Sequence, residues 1–592
     1  MRFVLSVLAM LLTSVAASAG NSPFMTNVFG RNVESLNGKW NVLIDCYDRG
    51  ERKHFEQNAK PQSDVEFVEY SFDGAMRLDV PGDWNSQNPE LKYYEGVMWY
   101  GRHFNARKPT GDRRFLYFCG VSYRCKVYLN GEYIGSHEGS FTPFQFEVTD
   151  KLKDGENFLC LKVSNVRTPD AIPAMHFDWW NYGGITRDVM LVSVPSVYID
   201  DYVMSLDKKD MDVINAKVSL SSAVIQNVNI EIPELGISRT VRTDEKGQVS
   251  VALKARRLVL WCPENPKLYS VRLSSGDDVV TEQIGFRTLG VDGTKILLNG
   301  KPIFMKSISF HEEIPQRMGR AFSESDAQVL LGAASELGVN MVRLAHYPQN
   351  EHIVRLAEKM GIILWEEIPL WQGIDFTNRQ TLEKAIGMYR EMIGRDRNRC
   401  AVCFWGIANE TRPSADRNAF LEEVLDVAES MDDTRLFTIA DDVARWNEES
   451  GQFEMDDPFI DKVDVVAVNR YMGWYAPWPK APAECRWNVA PGKPLIISEF
   501  GGEAMYGVHG NADKAWSWSE DYQEQMIRYN LEMFDRIENL AGISPWVLFD
   551  FRSPTRLHPV NQEGWNRKGL LSDQGMKKKA WYVMFDYYKT RR

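Results

Sequence analysis

The chain reads as a multidomain β plus α/β protein: an all-β region, a smaller immunoglobulin-like β-sandwich and a C-terminal (β/α)8 TIM barrel. Three observations predict this. Residues 36–195 carry short alternating segments broken by turn pairs, 196–288 continue that pattern as one block of sandwich length, and beyond Gly285-Phe-Arg287 apolar runs alternate with amphipathic stretches. With 592 residues the chain is too long for a single core.

The first segment is a candidate leader. Met1-Arg2-Phe3, an apolar stretch over 4–15 and the small residues Ala17-Ser18-Ala19 make up a basic start, a hydrophobic core and a cleavage site. Residues 1–19 are therefore expected to be a signal peptide, and the protein to be secreted or periplasmic. The apolar stretch is shorter than the roughly 20 residues that span a bilayer, so no membrane insertion is expected after cleavage.

Residues 20–195 form the all-β region. Its clearest signal is Lys126-Val-Tyr-Leu-Asn130-Gly131-Glu-Tyr-Ile-Gly, where Asn-Gly between alternating segments predicts a hairpin. Residues 196–288 contribute Val218-Ser-Leu, Val228-Asn-Ile-Glu-Ile and Tyr269-Ser-Val-Arg-Leu as strands. Residues 289–592 contain apolar runs at 304–310, 340–346, 362–368, 402–409, 436–440, 463–469, 494–499 and 543–551. Amphipathic stretches at 326–337, 352–360, 415–431, 522–537 and 577–588 read as helices. Continuous apolar strands separated by helices are what a parallel barrel requires, because each strand is buried on both faces.

A barrel places its chemistry at the carboxyl ends of its strands. Those ends hold Arg343 with His346, Glu366-Glu367, Asn409-Glu410, Asn469 with Tyr471, Glu499 and Trp546 with Asp550. Carboxylates and amides meet hydroxyls while aromatic faces stack on sugar rings, so this lining suits a carbohydrate. Glu410 in Trp405-Gly-Ile-Ala-Asn409-Glu410 and Glu499 in Leu495-Ile-Ile-Ser-Glu499 each close an apolar run. Two such carboxylates are what glycoside hydrolysis needs, one to protonate the leaving oxygen and one to attack or stabilise the oxocarbenium-like transition state.

The remaining composition narrows the partners. A net charge of −12 disfavours nucleic acid or an anionic membrane surface. The eight cysteines are too scattered for a disulfide scaffold, and Cys400-Ala-Val-Cys403 reads as core because no second pair completes a zinc site. No metal or cofactor is expected, and a homo-oligomer is left open.

These residues resemble glycoside hydrolase family 2, whose members include β-galactosidases, β-mannosidases and β-glucuronidases. Asp178-Trp-Trp-Asn181-Tyr-Gly-Gly-Ile-Thr-Arg187, Arg343-Leu-Ala-His346-Tyr-Pro and Trp405-Gly-Ile-Ala-Asn409-Glu410 are similar to its motifs, across essentially the whole chain after the leader. The resemblance implies an N-terminal jelly-roll domain over 20–195. It also implies a retaining mechanism with Glu410 as acid/base, Glu499 as nucleophile, carboxyls roughly 5 Å apart and Asn409 on the sugar 2-hydroxyl. Gly564-Trp-Asn566-Arg-Lys568-Gly resembles the Asn-x-Lys motif by which β-glucuronidases hold the sugar carboxylate. Asn469-Arg-Tyr471-Met472-Gly-Trp474-Tyr475 is similar to that subgroup too, implying a carboxylate contact for Tyr475, and Asp178 falls where it places an acid near the sugar hydroxyls. Met472, Gln562 and Trp365-Glu-Glu-Ile-Pro-Leu depart from the glucuronidase pattern, with Gln562 near the position of a frequent arginine. The expected activity is exo-acting removal of a terminal β-hexuronic acid from an oligosaccharide or glycoconjugate. A β-galacturonidase or β-galactosidase would use the same glutamates, whereas a non-catalytic carbohydrate-binding protein would lack one.

Overall fold

The computed structural model describes residues 22–591, so the expected leader over 1–19 lies outside the described residues. The N-terminal unit is two facing antiparallel sheets. The six-stranded sheet runs Met76–Val80, Gly38–Ile44, Val97–Ala106, Gly155–Ser164, Arg124–Leu129 and Glu132–Glu138; the four-stranded one runs Asn32–Ser35, Val189–Val194, Arg113–Phe118 and Phe144–Glu147. Trp40, Trp84, Leu116 and Val127 fill the space between them, each fully out of water. The expected hairpin closes through Asn130 and Gly131, whose positive φ values of 54° and 84° match the right-handed twist of the strands they join.

The next unit packs a three-stranded sheet (Ile199–Leu206, Val213–Leu220, Gln248–Lys254) on a four-stranded one (Ile237–Arg242, Asn227–Ile232, Tyr269–Ser275, Asp278–Ile284). The Asp278–Ile284 strand alternates buried and exposed residues along its whole length, the signature of a sheet with one wet face.

The third unit is a closed barrel of eight strands: β1 Met305–Phe310, β2 Met341–Leu344, β3 Ile363–Glu367, β4 Val402–Asn409, β5 Leu436–Asp441, β6 Val465–Asn469, β7 Leu495–Glu499 and β8 Leu540–Ile543. Every residue of β2 to β7 is buried, which explains why these strands read as unbroken apolar runs. Helices Glu324–Glu336, Ala415–Met431 and Glu520–Phe534 start on Ser323, Ser414 and Ser519, each accepting from a backbone N–H of the first turn. Cys400 and Cys403 are buried and unbridged. Among the described residues no helix is long and apolar enough to cross a membrane.

One strand differs from expectation. The eighth apolar run, expected over 543–551, contributes to the barrel only up to Ile543, and Phe551 belongs instead to a separate two-residue strand paired with Trp565–Asn566. Pro545 cannot donate to a ladder, and residues 544–550 continue as buried loop, so burial rather than pairing made this segment apolar. Gly542 is needed where β8 closes on β1, because a Cβ there would lie 2.6 Å from Met305 Cβ and 2.8 Å from its carbonyl oxygen.

The N-terminal sandwich docks on the barrel through Arg187. Its guanidinium donates to Glu312 Oε2 at 2.9 Å and to the Pro348 carbonyl at 2.7 Å, with both charged side chains buried. This docking carries Asp178 and Trp179 to the barrel mouth, where Trp179 meets His346 at 5.6 Å and Trp371 at 5.7 Å between ring centroids.

Removing one member of a buried ion pair strands the other charge, so Arg187→Met should destabilise the chain by about 3–5 kcal/mol. The Arg187→Met/Glu312→Gln pair should recover part of that loss in urea denaturation. A double variant as unstable as the single would mean that Arg187 contributes by packing alone.

Candidate active site

The site is built around Arg343 at the mouth end of β2. Its Nη1 donates to Glu499 Oε1 at 2.8 Å, its Nε and Nη2 bracket the Glu367 carboxylate at 3.2 and 2.9 Å, and Nη2 also reaches Asn409 Oδ1 at 2.7 Å. Successive strand residues face opposite sides, and this separates the two glutamates that end β3. Glu367 turns to Arg343 and His346, whereas Glu366 turns away to Arg395 at 3.4 Å.

Glu499 accepts a second hydrogen bond from the Tyr471 hydroxyl at 2.6 Å. Burial pushes its carboxyl above the ordinary glutamate value, while Arg343 and Tyr471 pull it back. Both donors favour the ionised form, but burial outweighs them. His346 Nδ1 donates to the Glu367 carboxylate at 2.9 Å and its ring stacks on Trp546 at 4.8 Å; burial keeps its imidazole below the usual histidine value.

Glu410 sits one residue beyond β4 with a positive φ of 51°, a conformation rare for a residue with a side chain. Its two carboxyl oxygens accept from Asn469 Nδ2 and Gln372 Nε2, both at 2.8 Å. Burial, reinforced by the Glu499 charge, pushes Glu410 up to about 7. Asn409 Oδ1 is occupied by Arg343 and Asn469, but its Nδ2 is buried without a hydrogen-bond partner.

The opposite wall joins three segments distant in sequence. Lys568 Nζ and Arg556 Nη1 both donate to the Tyr475 hydroxyl, at 2.7 and 2.9 Å. A phenol oxygen accepting from two cations still has its own proton to give, so this hydroxyl can donate to an incoming acceptor. Asp178 accepts from Ser553 Oγ at 2.6 Å, Thr555 Oγ1 at 3.0 Å and Asn566 Nδ2 at 3.1 Å, and forms an ion pair with Arg556. Burial works to raise the Asp178 carboxyl, yet Arg556, and behind it Lys568, hold it below the usual aspartate value.

Asp178, His346, Glu410, Asn469, Tyr471, Tyr475, Glu499, Trp546 and Lys568 line one cavity of about 730 Å³. Arg343, Asn409 and Asn566 stand behind its wall, with Asn566 tied to Asp178 by its amide and accepting from the Lys568 backbone at 3.2 Å. Asp550, a strand-end candidate, is instead a buried partner of Lys578 at 2.7 Å, because β8 ends earlier than its apolar run. Arg556 and Gln372 are site residues that pattern reading missed, since both lie on loops with no periodicity. The departure at Gln562 was the one available signal. Gln562 turns to Glu503 at 2.9 and 3.0 Å, and the cation near Lys568 comes instead from Arg556, six positions upstream.

The comparisons with known proteins agree with this geometry. Residues 33–195 match the sugar binding domain of glycosyl hydrolases family 2, 197–287 the domain described as glycosyl hydrolases family 2, and 289–573 its TIM barrel domain. A β-glucuronidase of Paenibacillus borealis is 26% identical over 626 residues, covering 94% of this chain and 97% of that protein. Among solved structures, a β-glucuronidase from an uncultured Clostridium superposes with a TM-score of 0.80 at 26% identity over 95% of this chain and 98% of its own. A family 2 β-galacturonidase from Eisenbergiella tayi, bound to galacturonate, gives 0.79 at 25% identity over 95% and 98%. With its three domains matched in order along almost the whole described length, the chain belongs to glycosyl hydrolases family 2 and is a glycoside hydrolase.

Proposed function

We propose that this hydrolase is an exo-acting, retaining β-glucuronidase that releases a terminal β-hexuronic acid from an oligosaccharide or glycoconjugate. One observation carries the reading. In the cavity that holds Glu410 and Glu499, two cations, Lys568 and Arg556, converge on one hydroxyl, that of Tyr475. Desolvated ammonium and guanidinium groups suit a C6 carboxylate and are poorly matched to a neutral hydroxymethyl group. The β-glucuronidase relatives and the galacturonate-bound neighbour support the same substrate class.

In this reading Glu499 is the nucleophile, aimed by Arg343 and Tyr471, and Glu410 is the acid, protonated near neutral pH by burial and the neighbouring carboxylate. Glu410 protonates the leaving oxygen as Glu499 attacks the anomeric carbon, and then, as a carboxylate, takes a proton from the water that cleaves the glycosyl-enzyme. The unpartnered Asn409 amide donates to the 2-hydroxyl, a contact that strengthens in the transition state. The residues 1–19 support export, to the periplasm or the medium. Glucuronide and galacturonide differ only at C4, so side-by-side hydrolysis of the two 4-nitrophenyl uronides, with the galactoside as neutral control, tests the assignment directly.

The two glutamates should fail differently. Glu499→Gln should abolish turnover of every substrate, whereas Glu410→Gln should spare substrates with excellent leaving groups and be partly rescued by azide. Near-normal rates in Glu499→Gln would remove it from the nucleophile role.

The pH profile follows from the same environments. Glu410 must carry a proton, so kcat/KM should fall as pH rises through about 7. Glu499 must be ionised, and since its carboxyl is raised, the acid limb should lie above the ordinary glutamate range. An alkaline limb that persists unshifted in Glu410→Gln would assign it to another group.

Substrate choice is tested on the opposite wall. Lys568→Ala and Arg556→Ala should each lower kcat/KM on a β-uronide by about 30-fold or more, the effect of losing one member of a desolvated charge contact. Slow galactoside cleavage should fall far less. Equal losses on both sugars would make the wall structural and bring the galactosidase reading forward.

A further inference from the structure

The same cavity has a second cationic patch, apart from the Lys568 and Arg556 wall. Arg470 follows Asn469 at the end of β6, and Arg445 opens a short hairpin, Arg445–Asn447 with Gln452–Glu454, inserted after β5. Both line the cavity together with Asp442. Arg470 holds its guanidinium over the buried Phe453 ring at 5.4 Å, so its position is set by the hairpin. Among the described residues no carboxylate lies within ion-pairing distance of Arg470, and its Nε is buried with no hydrogen-bond partner. Asp442, the acid nearest this patch, is held only loosely by Arg445 at 4.0 Å, which leaves two cations against one carboxylate. Burial, with repulsion from Arg445 next, lowers the Arg470 guanidinium to about 10, and Asp442 offsets this only in part.

The patch lies on the acid's side of the cavity. Arg470 directly follows Asn469, whose side-chain amide donates to Glu410 at 2.8 Å, and Arg445 follows β5, which pairs with β4 at Asn409, whereas Arg556 is bound to Asp178 and Tyr475. Glu410 must come within hydrogen-bond reach of the oxygen it protonates, so the released group stands on the Glu410 side. We infer that Arg470 and Arg445 form a leaving-group subsite for an anionic residue, one bearing a carboxylate or a sulfate ester, so that the natural substrate is an acidic glycan rather than a neutral conjugate. The inference rests on Glu410 acting as the acid. Arg445 gives one nitrogen to the Asp442 and Ala444 carbonyls, so the free N–H groups are chiefly those of Arg470, whose planar guanidinium can pair with either anion in a two-pronged geometry.

The test compares a β-glucuronosyl-glucose disaccharide with counterparts carrying a sulfate ester or a carboxylate on the glucose. The wild type should favour a charged disaccharide over the neutral one by about tenfold in kcat/KM at low salt, with the advantage shrinking at high salt. The sulfate and carboxylate arms decide which anion is preferred. Arg470→Gln and Arg445→Gln should each cut the charged-to-neutral ratio to about two or less, and because the ratio is internal, a general loss of activity cancels. Arg445 is exposed, so its variant carries the test even if Arg470→Gln folds poorly. A wild-type ratio near one, or a ratio unchanged in both variants, overturns the subsite. If no uronosyl disaccharide is cleaved but galactosyl counterparts are, the uronide assignment has failed separately, and the same ratio is read on the galactosyl set.

Discussion

The site depends on a guanidinium with no access to water. Arg343 is fully buried within the barrel mouth, and a cation there is tolerated only if its donors are met by charge and hydrogen bonds. Glu367 of β3, Asn409 of β4 and Glu499 of β7 meet them, and the Trp365 ring lies 4.8 Å from the guanidinium carbon. The planar fork of arginine can address three strands at once, which an ammonium point charge could not do with the same directionality. One side chain therefore sets the strand-end geometry and fixes the Glu499 carboxylate that lines the cavity.

From that constraint the two glutamates diverge. Glu499 is surrounded by a cation and a phenol that favour its charge, while Glu410 has two neutral amides and the repulsion of Glu499 and Asp442. The same residue type is thereby pushed toward two protonation roles by its surroundings. Asn469 connects them, since it pairs with Glu499 in strand register and donates to Glu410.

The cavity is an interdomain one. The sandwich contributes Asp178 and Trp179, and the loop after β8 contributes Arg556 and Lys568. Asp178 neutralises Arg556, and Glu503 lies 3.5 Å from Lys568, so the wall holds two cations without a large net charge. Such compensation keeps the cations ordered in the free protein, and the Tyr475 hydroxyl between them marks where an acceptor oxygen is favoured.

The sequence by itself determined the barrel and its catalytic edge. Parallel strands buried on both faces leave apolar runs in the chain, and the polar residues that close such a run lie at the barrel mouth, as Glu410 and Glu499 do. The leader expected over 1–19 lies outside the described residues and stands as a sequence pattern alone. Tertiary structure alone decided where β8 ends, because a buried loop is as apolar as a buried strand and only hydrogen-bond pairing separates them. It also decided which loop cations face the cavity. Arg556, Gln372 and Arg470 have no periodic neighbours to mark them, and their roles arise from contacts across segments tens to hundreds of residues apart, such as Arg556 with Asp178.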